Sequence, residues 1–496
     1  MKTIVRSIFT LSVFSFIERL LGFIFKIYLS RELGATSLGI FQVAFSFFMV
    51  LLTMTTSGIP LIVSKRTAKC RAENDLCEEF TISSAALILG ITASVIIIAV
   101  IILMRNVISG MFASSISMTL VLYMLPALLF SSVYSALRGN LWGRQKYTVV
   151  SVLELIEQIS RIVACILLFV FGFDKILSTA LSMSIACFIS AAACAAVYFK
   201  SGGRLMRPKG EIKPLLKNST PVTLSRASSS IIASLTSIAV PFILMGLGMT
   251  NDEAMYTYGY SVGMALPLMY IPLTFVGSMA FVMIPTLSRA IASKNDTSVK
   301  MQIERAISTA IVIGGIFVPT FAAIGGPIGE YVYNNADAGK FLAFSAWLMV
   351  PIAVENITSS MMNSLELEFK ALINYIIGSA SLFAFIFILG KKFTIEMLAV
   401  GMGISFTLSS ALNIIAMRKI TKFKLDFIFT IIKTAVLIIP SYFLVKWIYE
   451  ILPIMQFFRI AICGIIGTLF ITIGCFLFGT LKIEYFFNKK ERRNNA

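Results

Sequence analysis

Apolar stretches long enough to cross a bilayer recur along almost the whole chain, and this recurrence limits its fold more than any other feature. A helical span needs about 20 predominantly apolar residues. Such windows fall at about 5–29, 38–63, 80–104, 115–137, 147–172, 176–199, 219–248, 255–283, 306–328, 341–363, 371–390, 394–417, 427–448 and 455–480. Fourteen spans require about 280 apolar positions, and the AVILMFWYC set, 58% of 496 residues, supplies them. Charged residues make up only 13% and the mean hydropathy is +0.90, too little charge to coat a soluble domain of this size. The pattern predicts an all-α integral membrane protein of about 14 transmembrane helices. The first window reads as a retained helix, since Glu18, Arg19 and Lys26 interrupt it and no small-x-small cleavage site follows.

The chain carries 42 Lys+Arg against 24 Asp+Glu, a formal charge of +18. Laid on the fourteen windows, 29 basic residues fall on the side of the N-terminus, 6 on the opposite side and 7 inside spans. The positive-inside rule then puts both termini in the cytoplasm. The excess is an orientation signal, not a nucleic-acid footprint: no zinc-finger spacing, RNP-like aromatic run or long basic amphipathic helix accompanies it. The basic residues within spans are Arg19, Lys26, Arg161, Arg226, Lys433, Lys446 and Arg459.

Whole classes of chemistry drop out. Histidine is absent, which removes His-based zinc sites, Ser-His-Asp triads and histidine proton relays. The seven cysteines include no CxxC and read as apolar packing residues. There is no Walker A loop, no GxSxG elbow and no acidic loop cluster that would hold Mg²⁺. The expectation is a non-enzyme with no resident cofactor, leaving a coupling Na⁺ or H⁺ open.

The longest hydrophilic segment, 200–218, is basic and contains Gly and Pro, so it reads as a cytoplasmic linker between lobes. The expected division is an N-lobe at 1–199, the linker, a C-lobe at 219–417, and two further spans with a basic tail at 418–496. The second lobe replays the first. Span 2 runs from Gly39 to Gly58-Ile59-Pro60 and a basic loop; span 8 runs from Gly259 to Ile284-Pro285 and Arg289. Span 1 places Ser12, Ser15, Arg19, Gly22 and Lys26 on one stripe, and span 7 does so with Ser219, Thr223, Arg226, Ser230, Ser234 and Ser237. Span 2 adds Gln42, Ser46, Thr53 and Ser57. Small polar stripes also serve helix packing. An arginine at mid-helix is different, costing about 2.5–3.5 kcal/mol on insertion scales, so it must face a partner, a wet cavity or a ligand. Two pseudo-symmetric six-helix lobes around a central cavity are expected, with the site at their interface.

These motifs resemble one family. Glu18-Arg19-Leu-Leu-Gly22-Phe23, Arg31-x-x-Gly34 and Gly58-Ile59-Pro60 look like the opening of the stage V sporulation protein B group, polysaccharide transporters in the superfamily of lipid II flippases and MATE multidrug exporters. Arg138-Gly139-x-x-x-Gly143, Glu157-Gln158-x-x-Arg161 and Ile284-Pro285-x-x-Ser288 match further stretches, so the similarity runs along nearly the whole chain. It implies a monomeric flippase of the bacterial cell membrane, serving wall or spore-cortex synthesis. It would move a polyprenyl-diphosphate-linked saccharide from the inner to the outer leaflet, its lipid tail staying in the bilayer. The diphosphate would meet Arg19, Lys26 and Arg226, with Glu18, Gln42 and Ser230 beside them. Two positions depart from the lipid II flippase pattern. Phe25, next to Lys26, stands where a second arginine is usual, and Gly39 where an acid is usual, so the choice of glycan stays open. The alternative is a MATE-type organic-cation antiporter, which would want acids where helices 1 and 7 carry cations.

Other polar groups inside spans are candidates for gating or ion coupling. Arg138 at the end of span 4 can pair with an acid of the other lobe or anchor among head groups. Glu157 and Arg161 have the favourable i,i+4 order, with Glu154 a cation or proton site on the same side. In span 10, Glu355, Ser359 and Asn363 recur every four residues; Glu355 can ligate a coupling ion or pair with Lys433.

Overall fold

Each of the fourteen windows falls on helix, and no strand occurs among the described residues. This computed structural model describes residues 2–480 apart from Lys209, Lys294, Gly390, Lys391, Phe393, Lys424 and Leu425. The side chains of 2–12, 280–282, 284, 285 and 292 also lie outside the description, and with them Ser12 and the Ile284-Pro285 motif; so does the basic tail from 481. Twelve described segments are each long and apolar enough to cross a membrane. The first of them, Val13–Ala72, holds windows 1 and 2 together. The helix Tyr147–Val170 is not among the twelve, because Glu154, Glu157 and Arg161 dilute its apolar run.

The helices pack as two units, Met1–Gly259 and Tyr260–Ala496. The first contains α1 (Lys2–Thr56), α2 (Ile59–Ala72), α3 (Leu76–Leu103), α4 (Arg105–Ser109), α5 (Ser115–Gly143), α6 (Tyr147–Val170), α7 (Lys175–Lys200), α8 (Ile212–Gly246) and α9 (Asn251–Tyr258). Spans 1 and 2 meet inside α1 at Gly34, whose φ of 72° and ψ of 172° break the helical path. Only glycine takes that backbone without strain. α5 lies on α7, α2, α1 and α3. Ala191 and Cys194 let the Ala/Ser/Cys-rich α7 approach closely, and Tyr134, Leu137, Leu141, Leu153 and Tyr198 fill the space between. By packing, α8 belongs to this unit: Leu215 is buried among Ile59, Val63 and Ile82.

A π-helical turn, Gly259–Ala265, carries the chain from α9 into α10 (Leu266–Ala292). The second unit continues through α11 (Asp296–Ile316), α12 (Val318–Tyr333), α13 (Ala336–Ser345), α14 (Met349–Ser364), α15 (Glu368–Leu389), α16 (Ile395–Thr421), α17 (Phe427–Ile451) and α18 (Gln456–Leu477). α14 lies centrally, against α10, α11, α15 and α16. α12 bends at Ile324, three residues before Pro327, whose ring removes a backbone donor. The α17–α18 hairpin rests on α11 and α12 through Val312, Leu437, Ile471 and Cys475.

Candidate functional site

The polar stripes expected on spans 1, 2 and 7 meet one another within the first unit. Lys26 donates from Nζ to Gln42 Oε1 at 3.5 Å, joining the two halves of α1 across the Gly34 bend. Thr53 Oγ1 and Ser230 Oγ lie 3.0 Å apart, joining α1 to α8. One helical turn before Ser230, Arg226 donates to the Ser57 carbonyl at 3.2 Å and is otherwise exposed. Lys26 and Arg226 therefore bond to neutral oxygens, and neither has a carboxylate within 4 Å among the described residues. Arg19 is exposed and makes no hydrogen bond or ion pair among those residues.

Glu18 turns to a different neighbourhood. The charges acting on it are those of Glu154, Glu157 and Arg161 on α6, together with Arg19. Glu157 pairs with Arg161 at 3.7 Å, as the i,i+4 spacing predicts. Glu154 is not a vacant carboxylate: Arg138 donates to it at 3.1 Å and stacks over the Trp142 and Tyr134 rings at 4.6 and 5.3 Å. Arg138 thus finds its acid inside its own unit, where α5 and α6 lie side by side, rather than on the opposite lobe.

The glycine that replaces an expected acid has a packing reason. A Cβ on Gly39 would lie 2.2 Å from the Met255 carbonyl oxygen, and one on Gly259 would lie 1.8 Å from that of Ala35. The two glycines that open spans 2 and 8 are therefore in mutual backbone contact, which no side chain at either position permits. Gly259→Ala is expected to destabilise the fold by about 1–3 kcal/mol, read as a lower melting midpoint in detergent. An unchanged midpoint would count against the contact.

In the second unit, Glu355 accepts a hydrogen bond from Ser359 at 2.7 Å. Asn413 reaches Ser359 at 3.3 Å and Thr358 at 3.5 Å, and Asn374 donates to Asn413 at 2.9 Å. Tyr270 and Tyr375 feel the Glu355 charge. No cation lies within 4 Å of the carboxylate among the described residues. Lys433 is not its partner, since its ammonium donates to the Phe478 carbonyl at 2.9 Å. Asn363 is exposed and takes no part; the spacing on α14 suggested it, whereas Asn374 and Asn413 on α15 and α16 gave no periodic signal.

A further cluster has no signature in the sequence pattern. Glu79 is fully buried and bonds to Arg144 and Arg71, each at 2.6 Å, with Asn140 donating to it at 3.0 Å and to Ser83 at 2.9 Å. Arg144 also holds the Ser201 carbonyl at 3.0 Å, and Tyr198 donates to the Arg204 carbonyl at the same distance. Met206 N donates to Ser84 Oγ at 2.9 Å, and Arg66 bridges Glu78 and Glu211. The segment whose composition suggests a loose linker is strapped to the first unit.

The sequence pattern of the polysaccharide biosynthesis protein family matches residues 4–289, more than half of the chain. The chain belongs to that family. Among curated relatives, stage V sporulation protein B of Bacillus subtilis (strain 168) is 22% identical over 406 residues, 79% of this chain and 78% of the relative. Lipid II flippase MurJ of the same organism is also 22% identical, over 76% of this chain and 75% of its own. Among solved structures, lipid II flippase MurJ in an inward closed conformation superposes with a TM-score of 0.75 at 16% identity, covering 94% of this chain and 98% of that one. An inward-facing MATE family multidrug transporter gives 0.69 at 17% identity over 84% of this chain and 98% of its own. The family member described here shares their fold and is a multi-pass membrane protein.

Proposed function

We propose that this protein flips a polyprenyl-diphosphate-linked glycan, a wall or spore-cortex precursor, from the inner to the outer leaflet by alternating access. The observation that carries the reading is a polar line along α1 and α8, where Lys26 bonds to Gln42, Thr53 meets Ser230 and Arg226 bonds to the Ser57 carbonyl, so that both cations bond only to neutral oxygens. A diphosphate head carries about two negative charges and many acceptor oxygens, which charge-assisted donors of this kind bind well. The relatives support the substrate class: one is named as a lipid II flippase and another as a sporulation protein. The biased basic residues support cytoplasmic termini, so the head group would be taken up at the face carrying the 200–218 segment. The chain itself supplies binding and movement and no bond-making chemistry.

Glu355 is the coupling group in this reading. Its carboxylate, with the hydroxyl oxygen of Ser359 at hand, suits a proton or a monovalent cation. The MATE-type alternative is less well supported, because an organic cation would meet Lys26 and Arg226 on this surface, while Glu154 and Glu157 are already paired.

The test is purified protein in proteoliposomes given a fluorescent polyprenyl-diphosphate saccharide and, separately, a fluorescent organic cation. Transfer of the lipid between leaflets without movement of the cation is expected. The opposite selectivity would overturn the proposal. In Glu355→Gln, stimulation by a sodium or proton gradient is expected to disappear while gradient-free exchange persists.

A further inference from the structure

A cavity of 460 Å³ opens in the second unit where the second to fourth turns of α11 and the first turns of α17 meet the turn that ends α18. Two cations line it, Arg305 and Lys433. Lys433 stands six residues into α17, about 9 Å along the helix axis. Its ammonium donates to the Phe478 carbonyl at 2.9 Å, which leaves two N–H donors. No carboxylate lies within 4 Å of it among the described residues. Ser308 accepts from Thr430 at 3.5 Å and keeps its own hydroxyl proton for another acceptor. These donors converge on a space that an acceptor-rich group would fill.

Two carboxylates, Glu304 and Asp426, also line the cavity, and Asp426 is exposed. An anion with no positive group would be repelled by Asp426. A head group that pairs a phosphate with an ammonium meets both signs. The lipid-facing side supplies the rest: Phe429, Ile432 and Val436 are exposed at i, i+3 and i+7, on the same side of α17 as Lys433. Apolar chains lying on that face would continue directly from a phosphate at the ammonium.

We infer that this cavity is a binding site for a resident aminophospholipid, whose phosphodiester is held by Lys433 and Ser308 and whose primary ammonium is held by Asp426. The site lies within the second unit and is separate from the α1–α8 surface, so it concerns a structural or regulatory lipid rather than the transported one.

Native mass spectrometry of the detergent-solubilised protein, titrated with phosphatidylethanolamine and phosphatidylglycerol of equal acyl length, tests it. Wild type is expected to retain phosphatidylethanolamine about tenfold more strongly, the worth of one charge-assisted hydrogen bond. Lys433→Gln should lower retention of both lipids by a similar factor, with Lys433→Arg restoring it. Asp426→Asn should leave phosphatidylglycerol unchanged and remove the preference. Equal retention of the two lipids by wild type, or wild-type retention in Lys433→Gln, overturns the inference. So does stronger retention of a polyprenyl phosphate, which would make the cavity part of the transport path. Competition by inorganic phosphate alone would mark it as a free-phosphate site and equally overturn it. Asp426 is exposed, so its variant tests the site even where a Lys433 change impairs folding.

Discussion

Glu79→Ala is expected to cost about 3–5 kcal/mol of stability, the usual penalty for leaving a buried charge without its partner. Glu79 has no exposed surface, and the Arg144 side chain is only 4% exposed, so the guanidinium left behind cannot turn to water. Arg71, 41% exposed, can. The damage should therefore concentrate on Arg144 and on what Arg144 holds. That guanidinium packs over the Phe80 and Tyr198 rings and bonds to the Ser201 carbonyl, so its displacement should release the 201–211 strap. Two measurements check this. The melting midpoint should fall sharply, and limited proteolysis within 201–211 should become faster. Arg71→Ala should give a much smaller shift, because its contact is partly screened by solvent. A Glu79→Ala protein that melts as wild type would mean that the cluster carries no net stability.

This cluster is invisible in the sequence for a physical reason. Arg71 and Arg144 are legible only as loop charges contributing to the positive-inside bias, and they do lie next to the ends of α2 and α5. Glu79 lies in the first turn of α3 behind Asp75, which caps the helix through the Glu78 amide at 2.9 Å. Acids at that position are explained by the helix dipole alone. Nothing in spacing reveals that one of them is buried by α5 and claimed by two arginines. Long-range ion pairs have no period.

Helix positions are legible because hydrophobicity is a local property with a length scale set by the bilayer. The stripes are legible for the same reason: Gln42, Thr53 and Ser57 repeat on one face of α1, and Arg226 and Ser230 on one face of α8. Their mutual contact is legible only by analogy between the lobes. The pairing of Gly39 with Gly259 shows what the analogy tracks, since equivalent glycines open equivalent helices and then touch. Sequence pattern is weakest where one helix offers several polar groups. On α6 the i,i+4 order identifies Glu157–Arg161, but only packing assigns Glu154 to Arg138. On α14 it identifies Glu355 with Ser359, but Asn363 is carried along by periodicity alone and Asn413 comes from another helix.

Lys26→Met is the change expected to separate binding from folding most cleanly. Methionine keeps the length of the stem and much of its packing, and the bond given up is a single 3.5 Å contact to Gln42, so stability should change little. Transport should change greatly. Each charge-assisted hydrogen bond between an ammonium and a phosphate oxygen is worth about 1.5–3 kcal/mol, so losing even one or two should slow flipping of a polyprenyl-diphosphate saccharide by about a hundredfold. Lys26→Arg should retain most activity, because the charge stays on the same face. Gln42→Leu should cost about tenfold, by freeing the ammonium from its one fixed partner without removing it. Arg226, bonded at Ser57, stands fifteen residues, about 22 Å, along α1 from Gln42, so Arg226→Ala and Lys26→Met should slow flipping independently and the double change should cost about the product of the single effects. Full activity in Lys26→Met with normal melting would show that this cation faces no substrate, and the α1–α8 surface would then be helix packing. Equal losses in rate and in melting midpoint would also point to packing, because a substrate ligand should move the first and spare the second.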